Sequence, residues 1–416
     1  MQAKLIDRPQ PLAWLGRWRE RDVIKVVTGV RRCGKSTLLR MFRQQLRASG
    51  VEDSHIVSLN LENPAVSDLL VDHLRLYEHI RSQLAPEGTT YVFIDEMQNA
   101  VGFERVVDGL FILPNVDLYV TGSSSALLSG ELASLLTGRY VELSLLPVSF
   151  AEFVAARTPA DVPPALRDLY DDYARSGSLP FTLSLDSDSE IRQYLEGVLN
   201  TILLRDVAVA RKVANVGQLR NVTEFLYSSI GSLVSVNRIA NAMTSAGRKI
   251  SRSTVEGFID GLNDAHLIYP ARRWDIKGKR LLNSGAKYYA VDVGMRRTLL
   301  GAKPVDAGHV LENIVYLELR RRCEQVYVGS AETAEIDFVA ETATGPAYIQ
   351  VASQVGSPTT LERELAPLRA VRDFVPRLLL TLDREPPQSY DGILRMSVLE
   401  WLADTEAGFN TTLRAR

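Results

Sequence analysis

The run Gly29-Val30-Arg31-Arg32-Cys33-Gly34-Lys35-Ser36 fits the spacing G-x-x-x-x-G-K-[ST] without a gap. Each fixed position has a chemical task. The glycines permit a tight turn whose backbone N–H groups converge on an anion. Lys35 brings positive charge to the β- and γ-phosphates of a nucleotide, and the Ser36 hydroxyl is a ligand for Mg²⁺. With Thr37, these residues form the expected phosphate cradle. About 60 residues later, Tyr91-Val92-Phe93-Ile94-Asp95-Glu96 ends an apolar run in two acids. Asp95 would hold the Mg²⁺ shell, directly or through water, and Glu96 would orient and activate the attacking water. The two runs together predict hydrolysis of ATP with Mg²⁺ as cofactor.

Such chemistry needs a strand before the glycine loop and a helix after it. Val23–Thr28 reads as a buried strand and Ser36–Phe42 as an amphipathic helix. His55–Asn60 reads as the next strand, residues 66–84 carry helical spacing, and Tyr91–Glu96 and Val116–Thr121 are further strands. Alternating strands and helices predict a parallel α/β sheet, with the acids at the rim where ligands bind. Asn60, at the end of its strand, is placed to restrain Glu96 by a hydrogen bond, or else serves as an ordinary turn asparagine.

The runs Gly29–Thr37, Phe93-Ile94-Asp95-Glu96-Met97-Gln98, Val120-Thr121-Gly122-Ser123-Ser124-Ser125, Leu136-Thr137-Gly138-Arg139-Tyr140 and Leu145–Phe153 occur in an order and spacing that resembles the prokaryotic AAA-type P-loop ATPases with a C-terminal domain of unknown function. The resemblance continues through Arg175–Pro180 and Leu204–Val207 and returns near the C-terminus. In ATPases of the AAA type, a polar residue ending the strand beside the acid-bearing one contacts the γ-phosphate or the water. Thr121 and Ser123 are the candidates; a capped Gly-Ser turn is the plainer alternative. Arg139 is a candidate for stabilising transition-state charge, in cis or across a subunit interface of a homo-oligomer, unless it is a surface arginine.

The Pro-containing stretch 155–165 predicts a linker, so that residues 1–154 form the ATPase domain, 166–297 a helical and winged-helix region, and 306–416 a third domain. Three helical patterns (219–230, 236–243 and one starting at Ser253-x-x-Glu256) precede two strands, 267–274 and 286–292, which is the order of a winged helix. Between Arg238 and Arg297 there are 12 Lys/Arg and 5 Asp/Glu, so this segment carries +7 in a chain of −2. Basic residues clustered over 248–280 (Arg248, Lys249, Arg252, Arg272, Arg273, Lys277, Lys279, Arg280) suit the phosphate backbone of DNA, or are simply solvated.

In the last third a helix (306–323), three strands (325–328, 335–340, 347–351), a helix (359–374) and a strand (377–382) resemble the restriction-endonuclease-like core. Glu312, Asp337, Gln350 and Ala352 stand at its motif points. That chemistry takes two acids and a lysine around Mg²⁺. Gln350 offers one weak carbonyl and Ala352 nothing, so the expectation is a nuclease-like fold that does not cut.

The 416 residues are 46% hydrophobic, enough for several cores, with no run of transmembrane length and no apolar leader in Met1–Arg8. Cys33 and Cys323 are too few for a disulfide framework, and five His argue against a metal cluster. These features predict a cytoplasmic protein. Two functions follow: ATP hydrolysis coupled to nucleic acid, or a nucleotide-gated scaffold in which ATP switches a protein–protein interface.

Overall fold

The computed structural model describes residues 5–124, 138–159, 162–163, 165–301, 307–331 and 334–404. They fall into two compact units, one of residues 5–147 with 264–266 and one of residues 148–263 and 267–404. In the first unit β1 (Ile24–Thr28), β2 (Ile56–Asn60), β3 (Thr90–Asp95), β4 (Val116–Gly122) and β5 (Tyr140–Ser144) form a sheet in the order β2-β3-β4-β1-β5. Every pairing is parallel. β1 and β3 are buried along their whole length, so neither alternates apolar with polar; β3 reads as a near-continuous apolar run, and β1 is interrupted only by Lys25, whose buried ammonium pairs with Asp117 of β4. Ile24, Val26, Val92, Ile94, Leu118 and Val120 join Leu76, Ile80, Val106 and Leu110 of the flanking helices in one core.

Residues 66–84 are not one helix. The chain breaks at Asp72, whose carboxylate accepts the N–H groups of Leu74 and Arg75 and caps a separate helix, His73–Arg81. Local capping by an Asp side chain outweighs the apolar spacing there.

The second unit begins at Val148, ahead of the proline-containing stretch where the sequence places a linker. The helix Phe150–Arg157 opens with a capping box, Ser149 and Glu152, and its Phe150 and Phe153 rings pack edge-on against Tyr173. Helices Val216–Ser228, Val236–Ser245 and Arg252–Asp264 follow, with the short β6 (Leu233–Val234) between the first two, then β7 (Ile268–Asp275) and β8 (Arg280–Ala290). The third helix is capped by the Ser251 hydroxyl, which accepts the Thr254 N–H, not by Ser253 with Glu256.

Beyond the helix Ala307–Arg322 come β9 (Gln325–Ala331), β10 (Ala334–Thr342), β11 (Gly345–Ala352), the helix Pro358–Ala370, β12 (Arg377–Thr381), β13 (Gln388–Tyr390) and β14 (Ile393–Ser397). The strands on either side of residue 300, expected as two bodies, share one sheet of order β13-β14-β12-β11-β10-β9-β7-β8-β6. The join is a parallel pairing of Arg273–Asp275 with Val328–Ser330. Among the described residues, no helix is long and apolar enough to cross a membrane.

Candidate nucleotide site

β1, β3 and β4 are adjacent and parallel, so the loop after Thr28, the acids ending β3 and the polar residues ending β4 meet at one rim. The loop backbone is pinned by sterics. Gly29 has φ +146°, and a Cβ there would stand 2.3 Å from the Leu145 carbonyl oxygen. Gly34, at φ +107°, caps the helix Lys35–Ala48, and Arg32 takes φ +69° between them. Left-handed turns of this kind direct N–H groups inward and make an anion nest. Val30 and Cys33 are fully buried beneath the loop, and burial raises the Cys33 thiol. Arg31 points the other way, to Glu62 at 2.9 Å. Thr37 lies in the first turn of the helix.

Lys35 is buried. Its Nζ donates to the carbonyls of Gly29 (3.0 Å) and Val30 (3.4 Å) and lies 3.6 Å from Glu96 Oε1. The ammonium is thus held on the loop's own oxygens, where a phosphate would replace them. Asp95 accepts hydrogen bonds from the hydroxyls of Ser36 and Thr121. Burial pushes its carboxyl up, opposed by the Ser36 and Thr121 hydrogen bonds and by Lys35, and assisted by Glu96. A buried carboxylate sharing an exposed serine hydroxyl at the rim is an oxygen pair that suits Mg²⁺. The residues present therefore fit a nucleotide triphosphate with its metal.

Thr121 is fully buried and commits its hydroxyl to the protein, donating to Asp95 and accepting the Glu96 N–H at 2.9 Å. It positions the acids rather than facing a phosphate. Ser123 lies two residues further along, just beyond the end of β4, and accepts from Gln98. Asn60, the last residue of β2, turns its side chain to the loop that follows: its Oδ1 accepts the Glu62 N–H at 2.8 Å. Arg139 is not brought to this rim. It precedes β5, whose first residue Tyr140 pairs with Ile24 at the start of β1, the end of the sheet away from the loop. There it donates to Asp108 at 2.7 Å and lies over the Phe111 ring.

Two participants were not anticipated. Arg8 is buried, and its guanidinium bridges the Leu146 carbonyl (2.9 Å) and the Cys33 carbonyl (3.4 Å), tying the loop to the exit of β5. Gln98 contacts Glu96 directly. Neither carries a sequence signal, since an N-terminal arginine and a glutamine after Asp-Glu are both common on surfaces.

The second unit holds a separate polar cluster. Lys287, on β8, is 3% exposed, and its Nζ reaches Glu312 (2.9 Å), Glu335 (2.9 Å) and Asp337 (3.5 Å). Glu312 also accepts from the Tyr289 hydroxyl at 2.6 Å. Asp337 accepts the Val351 N–H, and its own N–H donates to Gln350 Oε1 at 3.2 Å. Burial and the Glu312 charge raise the Asp337 carboxyl. Burial lowers Lys287, but the three carboxylates outweigh it and raise the ammonium. Glu312, Asp337 and Gln350 do come together as the spacing predicts, while Ala352 joins the apolar core. The ammonium occupies the centre of the carboxylates. A lysine inside the strand Ala286–Ala290, otherwise apolar and aromatic, was the available sequence signal. Among the described residues, no group of three or more His, Cys, Asp or Glu is arranged to hold a metal.

Residues 21–154 match the AAA domain, and residues 167–306 match a domain of unknown function (DUF8612). An uncharacterized protein of Haemophilus influenzae is 35% identical over 404 residues, covering 97% of this chain and 100% of that one. The chain belongs to this family of AAA-domain proteins. An uncharacterized protein of Methanocaldococcus jannaschii is 28% identical over 363 residues, 84% of this chain and 79% of that one. The Walker-type ATPase of Pyrococcus abyssi overlays 72% of this AAA-domain chain and 97% of its own at a TM-score of 0.51 and 15% identity, which shows a shared fold.

Proposed function

We propose that the chain is a Mg²⁺-dependent ATP hydrolase of the AAA type whose turnover is coupled to nucleic acid, DNA in the first instance. The observation that carries hydrolysis is the meeting of Lys35, Ser36, Asp95 and Glu96 at one rim of the parallel sheet. Bound Mg²⁺ neutralises phosphate charge and polarises the bond to be broken. The chain's own groups do the rest. The loop N–H groups from Gly29 to Ser36 orient the phosphates, Lys35 exchanges the Gly29 and Val30 carbonyls for phosphate oxygens, and Ser36 and Asp95 hold the metal. Glu96 accepts a proton from the attacking water. Arg139 lies at the far end of its own sheet, so a role in hydrolysis belongs to a neighbouring copy's site in a homo-oligomer.

The basic segment supports the nucleic-acid half. Two of its cations are internal, Lys287 in the carboxylate cluster and Arg296 donating to the Tyr227 carbonyl, and a third, the half-buried Arg297, pairs with Asp188. Arg248, Lys249, Arg252, Arg272, Lys277, Lys279 and Arg280 stay exposed, gathered before the third helix and on the β7–β8 hairpin. Three helices with β6, β7 and β8 suit a winged helix, in which those are the elements that face a duplex. The strands and helices from Ala307 onward suit a restriction-endonuclease-like core, and the Lys287 ammonium within its carboxylates supports a fold that grips without cutting. Two free thiols, Cys33 and Cys323, suit a reducing cytoplasm.

The test is ATP turnover by the whole chain, with and without single- and double-stranded DNA and RNA at low salt. Stimulation by DNA is expected, together with salt-sensitive binding. Turnover and binding indifferent to every polynucleotide, with an ATP-dependent change in oligomeric state by light scattering, would replace this reading with the nucleotide-gated scaffold. Mg²⁺-dependent cleavage of a duplex would overturn the non-cutting assignment.

A further inference from the structure

The Glu96 carboxylate is held by neighbouring groups at both of its oxygens. Its backbone turns sharply, with φ +56° and ψ +51°, and starts a single 3-10 turn, Met97–Asn99. That turn folds Gln98 back over the acid two residues before it. The Gln98 Nε2 donates to Glu96 Oε2 at 2.6 Å and to the Ser123 Oγ, beyond the end of β4, at 3.3 Å. The other carboxylate oxygen, Oε1, is 3.6 Å from the Lys35 ammonium. The Glu96 N–H is fixed by Thr121. Backbone and both oxygens are therefore held, which fixes the direction of the side chain.

Two of these restraints differ in kind. Lys35 is the group that phosphates attract, so its hold on Glu96 weakens when nucleotide arrives. Gln98 is neutral and has no reason to leave. Its carboxamide has both N–H groups engaged, and its Oε1 is buried without a hydrogen-bond partner among the described residues. A buried acceptor of that kind costs about 1–3 kcal/mol until an O–H or N–H reaches it. The amide is turned this way because the ionised carboxylate only accepts and so takes the donor end, while the Ser123 hydroxyl can take either role.

We propose that Gln98 is the positioning residue of the hydrolytic acid: bridging Glu96 Oε2 and the Ser123 hydroxyl, it sets the Glu96 carboxylate against the end of β4. The inference rests on the ATPase reading above. Gln98 acts through Glu96, so its loss matters only while Glu96 is an acid.

The experiment is a double-mutant cycle on the whole chain, Gln98→Ala and Glu96→Gln singly and together, measuring kcat and KM for ATP and the binding of a fluorescent ATP analogue. Misplacing a general base costs about 10- to 100-fold. Gln98→Ala is expected to lower kcat about that much, with KM and analogue binding within about twofold of wild type, and Gln98→Asn to show a similar loss because its amide is one methylene short. In the Glu96→Gln background the Gln98→Ala change is expected to cost no more than about twofold further. A full multiplicative loss in the double variant, or a kcat for Gln98→Ala within twofold of wild type, overturns the proposal while leaving the ATPase reading intact. Loss of analogue binding by Gln98→Ala assigns the residue to folding of the rim instead and also overturns it. A wild-type chain that binds the analogue but shows no turnover defeats the ATPase reading itself, and the proposal with it.

Discussion

Lys35 and Glu96 answer to different readouts, although they lie 3.6 Å apart. Lys35→Ala removes the cation that phosphates recruit and is expected to abolish analogue binding and turnover together. Glu96→Gln keeps shape and size, so the chain should bind ATP and hydrolyse it about 10²- to 10⁴-fold more slowly. Equilibrium binding beside steady-state turnover separates the two; unchanged turnover in either variant would refute the assignment. That the loop from Gly29 to Ser36 meets Asp95 and Glu96 at one rim was legible, because both runs have a fixed place at the ends of the two strands that flank β4. Thr121 was legible as a position but not as a role, since a hydroxyl ending a strand can face a ligand or a neighbouring acid, and Asp95 was the nearer. Gln98 and Arg8 were not legible, and Lys287 showed only as a lysine set in an otherwise apolar and aromatic strand. Each acts across 2 to 138 positions of chain through a hydrogen bond or ion pair that no local pattern records.

Individual elements were readable wherever periodicity was strong. The strands β1 and β3 and the helix Lys35–Ala48 stand where the sequence puts them, whereas β5 and the break at Asp72 depend on pairing and capping that apolar spacing does not encode. The strand β8 shows what a buried ion pair is worth. Lys287→Met should destabilise the second unit by about 3–5 kcal/mol, because the Glu312 carboxylate loses its counter-charge inside the protein. Combining it with Glu312→Gln and Asp337→Asn should recover much of that loss; denaturant unfolding reads both outcomes, and a single variant as stable as wild type would deny the lysine this part. The same cluster predicts a pH effect. Asp337 is raised up to about 7, whereas an unfolded aspartate titrates near 3.9, so the folded chain holds the extra proton between those values. The stability from this group is complete below about pH 4 and is lost as pH rises through 7. Asp337→Asn should remove that decline, on the order of a few kcal/mol, in melting curves taken from pH 4 to 8.

For the whole molecule, composition indicated several domains and charge indicated where the cations concentrate, but neither showed that strands on both sides of residue 300 join in one sheet. Exposed Lys277, Lys279 and Arg280 at the β7–β8 hairpin carry the nucleic-acid prediction. Changing all three to Ala should weaken DNA binding without altering basal ATP turnover. It should also lower the slope of log affinity against log salt by about 0.9 for each phosphate left without a cation. An unchanged slope would move the interface elsewhere. The parallel seam of Arg273–Asp275 on Val328–Ser330 has a practical consequence. A chain cut short before Ala307 would strip β7 of that neighbour and bare a row of N–H and C=O groups along a half-buried strand. Open edges of this kind recruit other chains. Attempts to produce the hairpin and its helices as a freestanding fragment should therefore yield aggregates, whereas division near Val148 cuts no strand from this sheet.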